Sequence, residues 1–144
     1  LLHGVRLTRW AGERTLSEPL LWILHLAYAF VPLGALAIGV SILWPGVVGA
    51  AAAQHLWMAG ALGMMTVAVM TRATLGHTGQ TLTAGPGTVA IYAMLLVSVL
   101  ARLAPGTWIG AAGILHHISG AVCIDAFCTF AAIYVTLVLR LRSA

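Results

Sequence analysis

Four long apolar stretches divide the chain, each closed by a polar or Pro/Gly-rich break. The first runs from Pro19 to Leu43. Ser17, Glu18 and Pro19 open it with a capping residue, an acid in the first turn and an early proline, which together predict a helix start. It stops at Trp44-Pro45-Gly46. The second extends from about Ala50 to Arg72 and gives way to the polar, glycine-rich run Gly76-His77-Thr78-Gly79-Gln80-Thr81. The third starts near Pro86 and ends by Leu103, just long enough to cross roughly 30 Å of hydrocarbon at about 1.5 Å per residue. The fourth follows Ala104-Pro105-Gly106 and covers 107–140, so it has to tilt, kink or protrude. Short loops between consecutive spans predict an all-α membrane protein, four transmembrane helices in an up-down antiparallel bundle over 19–144.

Composition removes the soluble alternative. Hydrophobic residues make up 61% and charged ones 7%, against roughly 45–50% and 25% in soluble domains. With a mean hydropathy of +1.02, such a chain cannot clothe its own core in polar surface, so lipid is its solvent. Leu1 in place of Met implies that the sequence begins inside a longer chain or after processing. Residues 1–18 carry Arg6, Arg9 and Arg14 without an apolar run, which is no signal-peptide pattern. Cys123 and Cys128, five apart on one helix, turn away from each other and are read as small buried core residues.

Arginine placement then predicts orientation. Arg6, Arg9, Arg14, Arg72, Arg140 and Arg142 fall on one side of the four spans and Arg102 alone on the other. The positive-inside rule makes both termini, including the segment 1–18, and the second loop cytoplasmic. Because these cations are scattered at helix ends, they do not form a nucleic-acid surface.

Chemistry is sought among ionisable groups within the spans, since each is costly there without a partner. These are His25, His55, His116, His117 and Asp125, with Arg72 and His77 near the cytoplasmic boundary. There is no phosphate loop, no Gly-x-Ser-x-Gly elbow, no HExxH and no acid pair set for hydrolysis. Histidine without catalytic acids points to haem, copper or proton handling. His25 lies about 9 Å inside the inner end of its helix and His55 about as deep from the outer face. Level with His25 is a position near Ala68, about 20 Å along the helix from His55, so the two cannot share one ion. His77 would be about 33 Å from His55 on an unbroken helix. Two layers follow: an outer one with His55 and the His116/His117 pair, and an inner one with His25 and His77.

Neighbours on each helix face refine the assignment. Ala51, His55, Ala59, Gly63 and Thr66 form a small, polar stripe of the kind that packs against another helix. His25 shares its side with Ala29, Pro32 and Gly39, has Tyr28 one turn away as a hydrogen-bond partner, and sits below a bend expected at Pro32. On the last helix, Gly113, His117, Ala121, Asp125 and Ala132 look inward by the same criterion, which favours His117 over His116 as a ligand. His116 instead shares a side with Gly120, Cys123, Phe127 and Tyr134, which would suit a bulky flat cofactor. Arg72 reads either as a headgroup anchor or as the partner of a haem propionate or other anion. Asp125 stays protonated or finds a histidine, threonine or arginine. His3 is set aside as part of the charged leading segment.

Two runs carry a family resemblance. The first is His55-Leu56-Trp57 through Met70-Thr71-Arg72-Ala73-Thr74-Leu75-Gly76-His77-Thr78-Gly79. The second is Thr15-Leu16-Ser17-Glu18-Pro19-Leu20-Leu21-Trp22-Ile23-Leu24-His25, continuing to Tyr28, Phe30, Pro32 and Gly34. Both resemble the NnrS family, membrane proteins of the bacterial nitric oxide response, and the chain resembles the carboxy-terminal third of a typical twelve-span member. The resemblance implies a haem- and copper-containing protein of the bacterial inner membrane that relieves nitrosative stress, rather than an enzyme of well-defined turnover. Its matching residues here are His25, His55, Arg72 and His77. Gln80 stands where members usually have Arg, and Cys123, Asp125 and Cys128 stand where apolar residues are expected.

Both lines converge on neutral imidazoles gripping haem iron or copper in apolar surroundings that admit nitric oxide or a similar small diatomic. Lipid and the remaining transmembrane helices, or other membrane subunits, are the expected partners. Two other classes compete: a cofactor-free interaction subunit of a larger membrane complex, and a proton or solute pathway through Asp125, Arg72 and the histidines. Against the pathway stands the lack of an inverted repeat or a pair of interrupted helices.

Overall fold

Apolar runs of this length must satisfy their own backbone groups, and helices do so within one segment. The computed structural model describes residues 2–10, 17–103, 110 and 112–142, with no strand among them. A short helix α1 (Leu2–Arg9) precedes α2 (Pro19–Leu43). The second span is one rod, Ala50–His77, in three parts: α3 (Ala50–His55), a π-helical stretch (Leu56–Gly63) and α4 (Met64–His77). Helices α5 (Pro86–Leu103) and α6 (Ala112–Arg142) complete the chain. The four spans are each long and apolar enough to cross a membrane, and the protein is an all-α membrane protein.

Local chemistry sets the ends. Pro19 takes the first helical position of α2, where its missing N–H costs nothing, and the Glu18 carbonyl accepts from Leu21 and Trp22 at 2.8 and 3.1 Å. The Glu18 side chain makes no capping bond. Helix α2 continues through Pro32 to Leu43. The rod runs five residues past the expected end at Arg72, because its terminator is Gly79 rather than Gly76. Gly79 has φ +66°, the Gln80 N–H reaches back to the Leu75 carbonyl at 2.9 Å, and the Gly79 N–H reaches Gly76 at 3.3 Å. That is a Schellman closure, which needs a left-handed residue just past the helix.

Consecutive spans run antiparallel. A Cβ on Gly34 would meet Trp57 at 2.7 Å and one on Gly60 would meet Phe30 at 2.9 Å, so residues rise along α2 as they fall along the rod. Between α5 and α6, Thr88 pairs with Tyr134 at 2.6 Å and Ser98 with Ser119 at 2.8 Å, again with opposed directions. Helix α2 packs on the rod, the rod on α5, and α5 on α6, with a smaller contact between α4 and α6. The core follows this serial order, with Ile23 and Ala27 of α2, Met64 and Ala68 of α4, Ile91 of α5 and Ala126 of α6 fully enclosed. The near end of the bundle carries Pro19 and His77. The far end carries Trp44, Ala50 and Leu103.

Two facial expectations are corrected. On the rod, Ala51 and Thr66 are exposed, while His55, Ala59 and Gly63 are half-buried; the packed side holds Ala53, Leu56, Gly60, Met64, Val67 and Thr71. The π-helical winding, bonded i to i+5, displaces every later residue from its α-helical projection. On α6, Gly113, His117, Ala121, Asp125 and Ala132 are all exposed, and the inward face carries Ser119, Ala126 and Tyr134. Hydrogen bonds from Ser119 and Tyr134 to α5 choose that face, not the small size of the other stripe. Cys123 is half-buried and Cys128 exposed, both as free thiols, so neither is an enclosed core residue.

Candidate cofactor site

His55 closes α3 at the far end. Its ring is half-buried, yet Nε2 is buried and has no hydrogen-bond partner among the described residues. Since α3 packs on α5, the ring lies within electrostatic reach of Arg102 and His116. The register between α5 and α6 explains the meeting. Ser98 and Ser119 are locked together, Arg102 is one turn beyond Ser98, and His116 is one turn before Ser119. His116 is exposed, and its Nδ1 lies 2.7 Å from the Ala112 carbonyl. A carbonyl only accepts, so Nδ1 carries the proton and Nε2 keeps its lone pair. His117, the preferred ligand by sequence, is on the exposed stripe.

His25 anchors the second group, toward the near end. It is half-buried and its Nδ1 donates to the Leu21 carbonyl at 2.9 Å, again leaving Nε2 as the free donor atom. The Trp10 indole meets the imidazole edge-on, ring centres 5.9 Å apart. Tyr28 does not bond His25 as expected: its hydroxyl pairs with His3 Nδ1 at 2.7 Å and its ring packs on Trp10 at 4.7 Å. Helix α1 thus lies over this stretch of α2, and His3 takes part in the contact.

Register separates the two groups. Extending the Gly34–Trp57 and Phe30–Gly60 contacts puts His25 level with Met65 and Thr66, on the order of 15 Å from His55 along the rod. His77 is exposed at the last position of α4, on the order of 15–20 Å beyond that level, so His25 and His77 do not form one inner layer. Arg72 is half-buried, near enough to Tyr92 for its charge to be felt at the phenol. Tyr92 is itself enclosed beside Thr71, with no hydrogen-bond partner of normal geometry among the described residues.

No three or more His, Cys, Asp or Glu side chains are grouped to hold a metal ion among the described residues. A closed structural ion site needs about four protein donors. Haem brings its own four nitrogens and asks the protein for only one or two axial ligands. The His25 and His116 imidazoles, with Nδ1 tied to a backbone carbonyl and Nε2 free, have the donor arrangement that second-shell bonding produces in metal sites. The residues therefore fit haem by their chemistry, and fit copper where further donors complete the set.

Sequence reasoning missed Arg102 and Trp10 as neighbours of these imidazoles and His3 as the partner of Tyr28. Arg102 was legible only as the lone cation at its end of the bundle, and α1 only as a charged segment.

Four apolar spans with imidazoles inside them define a multi-pass, all-α membrane protein. The family model described as NnrS protein matches residues 1–142. The chain belongs to the NnrS family and is a membrane protein of the nitric oxide response. No curated protein and no solved structure matches it.

Proposed function

We propose that the chain binds haem, with copper as a second metal, and that it takes up nitric oxide or a similar diatomic from the bilayer. The observation that carries the reading is the buried Nε2 of His55, which has no partner among the described residues. An imidazole nitrogen kept from water without a hydrogen bond costs about 1–3 kcal/mol, which a bound metal would recover. His55 is the first ligand in this reading, His116 and His25 offer Nε2 from rings oriented by their backbone bonds, and Arg72 and His77 stand at the near end. His117 remains a ligand only toward whatever meets the exposed face of α6. Haem iron or copper, when bound, supplies the atom at which a small uncharged diatomic coordinates. The apolar spans exclude water and admit such a gas. The arginine distribution supports an orientation with the near end and both termini on the cytoplasmic side of a bacterial inner membrane.

Absorption spectroscopy and metal analysis of the purified full chain, with and without nitric oxide, test this. A Soret band that shifts on adding the gas is expected, and His55→Ala should lose most of it while His117→Ala keeps it. A chain that inserts normally but carries neither haem nor copper would leave the interaction-subunit reading standing instead.

A further inference from the structure

Arg102 is a half-buried cation at the far end of α5. Among the described residues no hydrogen bond or ion pair of Arg102 is found, and its charge reaches the His55 ring. The chain has three acids. Glu18 opens α2 at the opposite end of the bundle, and Asp125 is on the exposed stripe of α6, nine residues along from His116, about 13 Å. Glu13 is outside the described residues. So the corner formed by His55, His116 and Arg102 gathers three groups able to carry positive charge, and no described carboxylate reaches it.

The placement is built by packing rather than by chance exposure. The reciprocal pair of hydrogen bonds between Ser98 and Ser119 fixes the slide of α5 against α6, and Arg102 sits one turn further along the same face. The contact between α3 and α5 then sets His55 beside it. A guanidinium in partly apolar surroundings favours a planar anion that it can grip with two parallel N–H bonds, and a carboxylate is the simplest such group.

We propose that Arg102 anchors a carboxylate of the porphyrin held at His55. The inference rests on the haem reading above and adds a second point of attachment to it. His55 would hold the metal through Nε2, and the Arg102 guanidinium would hold a propionate. The rival role for Arg102 is snorkelling to a lipid headgroup at the end of its span, which makes no demand on the porphyrin.

The test uses the full chain, produced without haem and titrated in detergent with haem or with haem dimethyl ester, in which both propionates are blocked. Binding is read from the Soret band. Wild-type protein should bind haem about tenfold or more tighter than the ester, the scale of one charge-assisted bond. Arg102→Ala should weaken haem by a similar factor and bind both compounds alike, while Arg102→Lys keeps part of the preference. His55→Ala should weaken haem and ester together. Equal binding of haem and ester by the wild type overturns the proposal without needing any variant, as does an undiminished preference in Arg102→Ala, which would leave headgroup anchoring only. A wild-type chain that binds neither compound overturns the haem reading, and this inference falls with it.

Discussion

Ser98 and Ser119 each donate a hydroxyl to the other's backbone carbonyl, both at 2.8 Å, and both residues are buried between α5 and α6. Lipid offers no net hydrophobic drive for helix association, so such bonds and close packing hold spans together.

Ser98→Ala or Ser119→Ala should each cost about 0.6 kcal/mol, the mean for hydrogen bonds between membrane helices. The hydroxyl oxygens are 3.4 Å apart within one network, so the double variant should depart from the sum by about 0.5 kcal/mol or more. Unfolding in mixed micelles measures this. Loss of the pair should also loosen Arg102 and His116 from His55, visible as weaker haem binding with the ligand still present. Unchanged stability in both single variants would mean that apolar packing alone sets the α5–α6 register.

A second prediction separates two glycines at the α2–rod contact. Added Cβ atoms would sit 2.8 Å from the Trp57 Cα at Gly34 but 2.9 Å from the Phe30 ring at Gly60. Backbone cannot yield without moving a helix, whereas a ring can turn or be shortened. Gly34→Ala should therefore cost about 1–3 kcal/mol and resist rescue by Trp57→Ala, which leaves Cα and Cβ in place. Gly60→Ala should cost a comparable amount alone but recover in combination with Phe30→Leu. Chemical unfolding of the four variants decides, and equal rescue at both sites would contradict the geometry.

What the sequence makes legible follows from what the bilayer demands. A span must hold about 20 residues of low polarity whatever it packs against, so the spans ending at Leu43 and Leu103 are visible as runs between breaks. Direction of facing is another matter. In lipid both sides of a helix are apolar, and a small residue serves as well against a neighbour as against an acyl chain, so the stripe through His117 and Asp125 looks inward on paper and is exposed in the fold. Helical projection also fails across Leu56–Gly63, where the winding is not α-helical. The meeting of His55, Arg102 and His116 depends on three separate spans and on the Ser98–Ser119 lock, which no single-helix pattern encodes.

The closure of α4 gives a third prediction. Gly79 adopts φ +66° in open space, so an added Cβ meets nothing and only the backbone penalty of about 1–2 kcal/mol per left-handed residue remains. Gly79→Ala should cost about 1 kcal/mol, and Gly79→Asn less, since Asn tolerates this conformation. Amide exchange at Gln80 and Gly79, whose N–H groups make the closing bonds, should rise in Gly79→Ala. A variant with unaltered exchange there would show that the last turn is held by α4 packing and not by its cap.

The last prediction concerns α1. Its hold on α2 consists of the 2.7 Å bond between His3 and Tyr28 and of the Trp10 ring lying between Tyr28 and His25. Tyr28→Phe removes the bond but keeps the ring contact, so α1 amides should exchange about two- to fivefold faster, matching the smaller end of a net hydrogen bond for an exposed pair. Trp10→Ala removes contacts to both rings and should free α1 more than Tyr28→Phe does, because aromatic pairs add about 0.5–1.5 kcal/mol beyond their burial. The same substitution takes away the edge-on neighbour of His25, so the His25 ring should gain rotational freedom, seen as a sharper imidazole resonance. If Tyr28→Phe releases α1 as fully as Trp10→Ala, the hydrogen bond and not the indole is the clamp, and the orientation of His25 must come from its bond to Leu21 alone.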